Sequence, residues 1–230
     1  MSVQEAIHVH LEGYTAFFKH PLTITGTQVT LPLPPYSTLL GLVGACAGRE
    51  VTYEETRIGF EFRSAWIGPE IERTDRLVME KSGKLKPHTG GQGILKRYVH
   101  FKTSLDLYLT NTALADAFEN PVSTPYVGRS QDIHWITKTS KVKLEKRTSG
   151  NLGPTMLPAM KAKIPSMIVR CPEWFHNNTL GRTRIVGPVG YYQAISPSIS
   201  SRIQAQTEEL YHPSDSENSE DVIYIHKWLR

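Results

Sequence analysis

An α+β fold is predicted by three features of this 230-residue sequence. Apolar and polar residues alternate in several short runs, the period of a half-buried strand. Only two segments carry the apolar spacing of a helix face. The runs follow one another as strand, helix, strand, strand, helix, strand. That is the β-α-β-β-α-β order of a ferredoxin-like (RRM-like) domain, in which helices cover one face of a sheet.

Each element has its own signal. In the first strand Ile7, Val9 and Leu11 face one way and His8, His10 and Glu12 the other, with Gly13 as its end. Tyr14 to Thr30 holds Pro21 and Thr23, Thr25, Thr27 and Thr30, and reads as an extended loop. Pro32, Pro34 and Pro35 forbid helix up to that point, so Ser37 or Thr38 is expected to cap the helix that follows. Leu39, Leu42, Val43 and Cys46 form its apolar face, Gly41 and Gly44 suggest a close neighbour, and Gly48 is its expected stop. Ile58, Phe60, Phe62 and Trp66 mark the second strand. A long basic excursion follows, with a turn at Lys81-Ser82-Gly83-Lys84 and a flexible stretch at Gly90-Gly91-Gln92-Gly93. The third strand runs from Tyr98 to Thr110. Asn111 or Thr112 caps a short helix over Ala113 to Phe118, and Val142 and Leu144 mark the fourth strand. Between the second and third strands the excursion is expected to protrude as a β-hairpin.

After Ser149, Pro154, Pro158, Pro165 and Pro172 divide the chain into short pieces. Ile164 to Arg170 and Arg184 to Ala194 are expected strands of a small C-terminal β extension. Ile203 to Asp221 is polar and acidic, and Val222 to Ile225 is a last strand. The expected organisation is a ferredoxin-like domain over 1–150, with the hairpin at about 69–97, and a β-rich extension over 151–230 with an acidic segment at 208–221.

Composition narrows the function classes. Hydrophobic residues make up 39% and charged residues 21%, an ordinary globular balance. No apolar run reaches the roughly 20 residues of a membrane helix, and the N-terminus lacks a signal-peptide pattern, so a cytoplasmic protein without membrane contact is expected. Two cysteines, Cys46 and Cys171, suit a reducing compartment. The net charge of +4 is mild but uneven. From Arg73 to Lys102 eight Lys/Arg face only Asp75 and Glu80, so this window carries +6 and the rest of the chain −2. From Glu208 to Asp221 there are six carboxylates and no Lys or Arg. Lysines and arginines on a hairpin can track a phosphate backbone, while Tyr98, His100 and Phe101 offer stacking faces for unpaired bases.

Catalytic signals are weaker. His8 and His10 share one strand face, but a catalytic zinc normally has three protein ligands and no third stands nearby in sequence, so they read as a solvent-facing pair with no metal. His88 and His100, with Lys96 and Tyr98, could cleave RNA without metal by acid–base chemistry, or simply contact it. Cys46 reads as core, and Cys171, beside a proline, as loop. Gly187-Pro188-Val189-Gly190 lacks the Lys-Ser/Thr of a phosphate loop. No cofactor is expected.

Three stretches together resemble a known family. They are Phe18-Lys19-His20-Pro21 through Thr25-Gly26-Thr27 into Leu33-Pro34-Pro35-Tyr36-Ser37-Thr38-Leu39-Leu40-Gly41; Lys96-Arg97-Tyr98-Val99-His100-Phe101; and Asn120-Pro121-Val122-Ser123-Thr124-Pro125-Tyr126-Val127-Gly128-Arg129-Ser130. In this order they resemble CRISPR-associated protein family five, of the repeat-associated mysterious protein superfamily. The regions Ile58 to Phe62 and His88 to Gly93 look most like its type I-B branch. The likeness covers about residues 1 to 140.

The resemblance implies a non-catalytic subunit of the Cascade surveillance complex that binds and caps the 5′ handle of the CRISPR RNA. Such a subunit leans a thumb hairpin against the neighbouring backbone subunit, also contacts the large subunit, and meets target DNA only through the complex. Carried onto this chain, RNA contacts fall on Lys19, His20, Thr23, Thr25 and Thr27 of the loop; on Tyr36, Ser37 and Thr38 at the helix start; on Arg76, Lys84, Lys86 and His88 of the hairpin; on Lys96, Arg97, Tyr98, His100 and Lys102; and on Arg129, which could instead hold carbonyls. One branch of the family is an endoribonuclease with a Tyr/Lys/His site whose tyrosine lies near the end of the first helix. Here that helix ends Gly44-Ala45-Cys46-Ala47-Gly48-Arg49 with no tyrosine before Tyr53, which argues against cleavage, although Lys96 and His100 keep it open. The alternatives are therefore a metal-free endoribonuclease acting on repeat RNA, and a ferredoxin-like protein-interaction module with an acidic partner.

Overall fold

A computed structural model describes residues 3–21, 23, 26–178, 183–198 and 202–229. The chain is α+β and mostly strand. Its elements are β1 (Val3–Ala16), β2 (Thr27–Val29), α1 (Tyr36–Ala47), β3 (Ile58–Met79), β4 (Leu85–Leu109), α2 (Ala115–Glu119), β5 (His134–Leu152), β6 (Met156–Pro158), β7 (Met167–Pro172), β8 (Phe175–Asn178), β9 (Thr183–Val186), β10 (Val189–Ala194), β11 (Ile203–Pro213) and β12 (Asp221–Tyr224).

Seven strands form the main sheet, in the order β11-β12-β5-β1-β4, with β2 and β3 also paired to β4. β1 is antiparallel to both β4 and β5, and β3 is antiparallel to β4. Ile7, Val9 and Leu11 turn to one face, where they pack in a single core with Leu39, Leu42, Val43 and Cys46 of α1 and Phe60, Phe62, Leu105 and Leu107 of the sheet. The other face of β1 is not left to water. Ala6 packs with Tyr108, Val142 and Leu144 and with Tyr211, Ile223 and Ile225 from the chain's last strands. The half-buried strand expected from alternation is thus covered on both faces over this stretch, because residues more than two hundred positions away fold back onto it.

Gly13 does not end β1. The His134 ring lies 2.6 Å from where a Cβ at this position would stand. Glycine is there for close packing, and the strand continues through Ala16. Neither Ser37 nor Thr38 caps α1. The helix begins one residue earlier, at Tyr36, behind Pro35, and no side chain caps it. Gly48 stops it as expected, in the left-handed conformation at φ 67°. Gly44 admits the close approach of the Arg49 carbonyl, 2.9 Å from a would-be Cβ, whereas Gly41 faces open space. Asn111 caps the turn before α2, its Oδ1 accepting from the Ala113 N–H at 3.1 Å.

β3 and β4 are far longer than their sequence signals. They pair continuously from Ile58↔Leu109 out to Met79↔Leu85. Beyond Trp66 the ribbon has no third strand on the β3 side, and it projects on the order of 40 Å. The turn closes at the expected place, with the Gly83 N–H donating to Glu80 O at 2.9 Å. Gly90 to Gly93 is not a flexible loop but part of β4. Gly91 takes φ 59° beside the register shift between Asp75 and Leu77, a conformation that glycine adopts without strain.

Residue 150 does not interrupt the sheet, since β5 runs through it to Leu152. Strands β11 and β12 extend the same sheet, while β6, β10 and β7 form a three-stranded sheet whose Tyr192 and Met156 join the main core. The expected strand at Arg184–Ala194 is two, divided at Gly187-Pro188, since proline has no N–H for a ladder. Cys171 is a buried residue of β7 rather than a loop, and burial pushes the Cys46 and Cys171 thiols up to about 11 and about 12. The acidic segment also finds partners inside the fold. Glu209 pairs with Arg57, Asp215 with Lys138, and Asp221 with Arg202. No helix of the described residues is long and apolar enough to cross a membrane.

Candidate nucleic-acid interface

Four adjacent strands bring exposed aromatic rings into one row at the root of the hairpin. In β5, Trp135 pairs with Glu12 of β1. Tyr14, two residues further along β1, shares that face, and its ring centroid is 5.4 Å from that of Trp135. Lys102 of β4 lies across from Tyr14, between the pairs Gly13↔Thr103 and Thr15↔Phe101. In β3, Trp66 stacks on its cross-strand partner Phe101 at 5.3 Å and 15°. The Lys102 ammonium sits 5.7 Å from the Trp66 ring.

Lys102 takes φ 48°, a left-handed backbone costing about 1–2 kcal/mol for a residue with a Cβ. This irregularity lets two consecutive residues, Phe101 and Lys102, reach the same ring. Tyr14 is 75% exposed, Trp66 47% and Trp135 41%, and the row faces away from α1 because Leu11 points to the α1 side. Aromatic faces beside a cation form a surface on which unpaired bases can stack. Of these residues the sequence marks only Phe101 as a stacking face. Tyr14, Trp66 and Trp135 lie on three strands separated by long stretches of chain, and only the strand order aligns them.

The hairpin supplies charge, though less than its composition suggests. Arg73 pairs with Asp75 at 3.3 Å and Lys86 with Glu80 at 2.8 Å. Arg97 pairs with Glu72 and donates to Gln28 Oε1 at 3.0 Å. Arg76, Lys81, Lys84, Lys96 and Lys102 have no carboxylate partner among the described residues, and all five are exposed. Lys96 rests 5.2 Å over the half-buried Tyr98 ring. His88 is exposed, with Nδ1 accepting from the Gly90 N–H at 2.9 Å.

The loop contributes at the same end of the sheet. β2 pairs parallel to β4 at Thr27↔Lys96 and Val29↔Tyr98, which sets exposed Thr27 beside Lys96. Lys19 is exposed and bridges Thr30; His20 is half-buried. The Thr23 hydroxyl is used within the loop, donating to His20 O and accepting from the Val29 N–H, both at 3.2 Å. Thr25 lies outside the described residues.

Several expected contacts are corrected. His100 is fully buried: Leu31 O lies 2.9 Å from Nε2 and Ser64 Oγ 3.0 Å from Nδ1, and burial pulls its pKa down to about 4. It is a core residue and presents no face to RNA. Tyr36 is 1% exposed, donates to Met156 O at 2.6 Å, and stacks on His226. With its ring beneath C-terminal residues, the start of α1 is roofed rather than open. Ser37 and Thr38 remain half-exposed there, and the Thr38 N–H is taken by Pro35 O at 2.9 Å. Arg129 has its guanidinium committed to Asp132 and Glu70 and stacked over Phe17 at 5.3 Å. Burial alone would lower its pKa, but the two carboxylates outweigh it and raise it. It pins the hairpin root to the loop before β5 and has no free fork for a phosphate.

The structure also assembles a cluster that sequence spacing could not reveal. His8 and His10 converge on Asp106 of the neighbouring strand.

The model of a CRISPR-associated protein family (Cas_Cas5) matches residues 6–105. No curated protein matches the sequence. A solved chain described as belonging to a "CRISPR RNA-guided surveillance complex" is 12% identical, covers 86% of this chain and 91% of its own, and superposes at TM-score 0.55. A CRISPR protein from Archaeoglobus fulgidus, also 12% identical, covers 97% of this chain and 100% of its own at TM-score 0.50. At such identities the likeness is one of fold. The fold is thus one found among CRISPR proteins, and over residues 6–105 the chain is similar to the CRISPR-associated protein family (Cas_Cas5).

Proposed function

We propose that the chain is a non-catalytic subunit of a type I CRISPR surveillance complex, of the I-B branch, that binds and caps the 5′ handle of the CRISPR RNA. The carrying observation is the row Trp135–Tyr14–Lys102–Phe101–Trp66, set where a hairpin leaves the sheet carrying Arg76, Lys81, Lys84 and Lys96, which have no carboxylate partner among the described residues. The strand order β5-β1-β4-β3, with α1 and α2 in the crossovers, reads as the ferredoxin-like domain, and the hairpin as its thumb. Bases of single-stranded RNA would stack on the row while the backbone follows Lys96, Lys84 and Arg76.

The hairpin tip supports a protein partner as well. Leu77 and Met79 of β3 and Leu85 of β4 are 58%, 70% and 62% exposed, an apolar patch suited to packing against the backbone subunit. Contact with the large subunit, and through it with target DNA, follows from the same reading. Burial of His100 supports a non-catalytic role, because it removes one of the groups on which cleavage would depend.

The test is binding of the purified chain to single-stranded repeat-derived RNA over a range of salt. With about five phosphates neutralised, the log–log slope is expected near −3.5, from roughly −0.7 per contact. The RNA should remain intact in EDTA. A flat salt response would overturn handle binding, and a specific cleavage product would overturn the non-catalytic assignment.

A further inference from the structure

The face of β1 away from α1 carries a second polar centre, four residues along the strand from Tyr14 of the aromatic row. His8 and His10 sit two residues apart on this strand face, and Asp106 stands directly across from His10 in β4. His8 Nε2 is 2.9 Å and His10 Nδ1 2.6 Å from the same oxygen, Asp106 Oδ1. Three ligand atoms, one from each residue, lie within 4.8 Å of one another. This two-nitrogen, one-oxygen donor set is the kind that zinc and its first-row neighbours accept.

The surroundings complete such a site. The other nitrogen of His8, Nδ1, is 2.7 Å from Asp215 Oδ2, in the turn between β11 and β12. A ligating imidazole usually donates its second N–H to a carboxylate in this way, which fixes its tautomer and orientation. Asp215 is itself held by Lys138 at 2.9 Å. Tyr108 stacks on the His8 ring at 4.4 Å and 9°, which locks its plane. Asp106 and Asp215 also line a cavity of about 180 Å³ bordered by Lys138 and Arg202, room for the water a three-ligand ion keeps.

We infer that His8, His10 and Asp106 form a binding site for a divalent first-row transition ion of the zinc class, with Asp215 as the carboxylate behind His8. Bound there, the ion ties β1, β4 and the β11–β12 turn at one point and so clips the C-terminal strands to the sheet. The site does not depend on RNA binding and stands whether or not that reading holds.

The probe is Co²⁺ added to the EDTA-treated, dialysed full chain, followed by visible spectroscopy and calorimetry and then by competition with Zn²⁺. One ion per chain is expected, with d–d bands of a low-coordinate site that Zn²⁺ abolishes, and a raised melting temperature. His10→Ala and Asp106→Asn should each abolish the bands. Asp215→Asn should weaken affinity roughly 10- to 100-fold while keeping them. His176→Ala, at a distant exposed histidine, should change nothing. Absence of saturable Co²⁺ binding in the unmutated chain would overturn the inference and leave the cluster as histidines sharing protons with carboxylates. Binding that survives His10→Ala would overturn the ligand assignment even if Asp106→Asn failed to fold.

Discussion

Trp66 is held by its neighbours on one side only. Phe101 stacks beside it and Lys102 lies over it, yet nearly half of its surface meets solvent, and the same holds for Trp135 across the sheet. An apolar ring left open beside a cation is the residue-level pattern that the proposed function uses. His100 shows the opposite case. Its sequence neighbours Lys96, Arg97 and Tyr98 made it a candidate contact, but the strand's alternation, shifted by the irregular residue Lys102, turns it into the core against Phe18 and Phe62. That inversion was invisible in the sequence because a backbone bulge leaves no reliable mark there. It carries a pH consequence. Burial lowers the His100 pKa to about 4, below the ordinary 6.5, so the unfolded chain takes up this proton first as pH falls. The stabilisation is complete above about pH 6.5 and is lost progressively toward pH 4, on the order of 3 kcal/mol. In urea titrations at pH 7 and pH 4.5, the unmutated chain should lose more stability between the two than His100→Gln. Equal losses would show that other groups, His134 among them, carry the acid sensitivity.

At the scale of elements, the legible parts were those governed by local chemistry. The proline run ahead of α1, the glycine that ends it, the Asn111 cap and the Gly83 turn all stand where the sequence places them. The lengths of β3 and β4 were not legible. The outer hairpin alternates apolar and polar residues weakly, and its strand pairing is sustained by the ribbon itself rather than by a core. For this reason Leu77, Met79 and Leu85 escape burial, and substitutions there should cost the isolated chain little. Leu77→Asp with Met79→Asp is expected to leave the melting temperature within about 2 °C, as for surface sites, while abolishing co-purification with the backbone subunit. A large drop in melting temperature would mean that the tip packs within the chain. Retained co-purification would mean that another surface makes the contact.

Over the whole molecule, the net charge of +4 conceals two arrangements. Three of the six carboxylates of the acidic segment, Glu209, Asp215 and Asp221, are spent on Arg57, Lys138 and Arg202 around the sheet, pairings set by strands that meet only in the folded chain. The basic hairpin is partly neutralised by Glu72, which stands just before the +6 window and pairs with Arg97, while Glu70 pairs with Arg129 outside it. What remains is a smaller set of free cations gathered near the aromatic row, a more focused surface than the +6 count implied. Tyr14, Trp66 and Trp135 became neighbours only through the order β5-β1-β4-β3, so the sequence could suggest an RNA-facing side without showing its platform. The central claim is that single-stranded RNA stacks on this row. The direct measurement is tryptophan emission during titration with single-stranded repeat RNA. Saturable quenching is expected, together with its loss and roughly 30- to 20,000-fold weaker binding in Trp66→Ala with Trp135→Ala, about 1–3 kcal/mol for each of two stacked bases. RNA binding of undiminished affinity in that double variant, with no quenching in the unmutated chain, would contradict it.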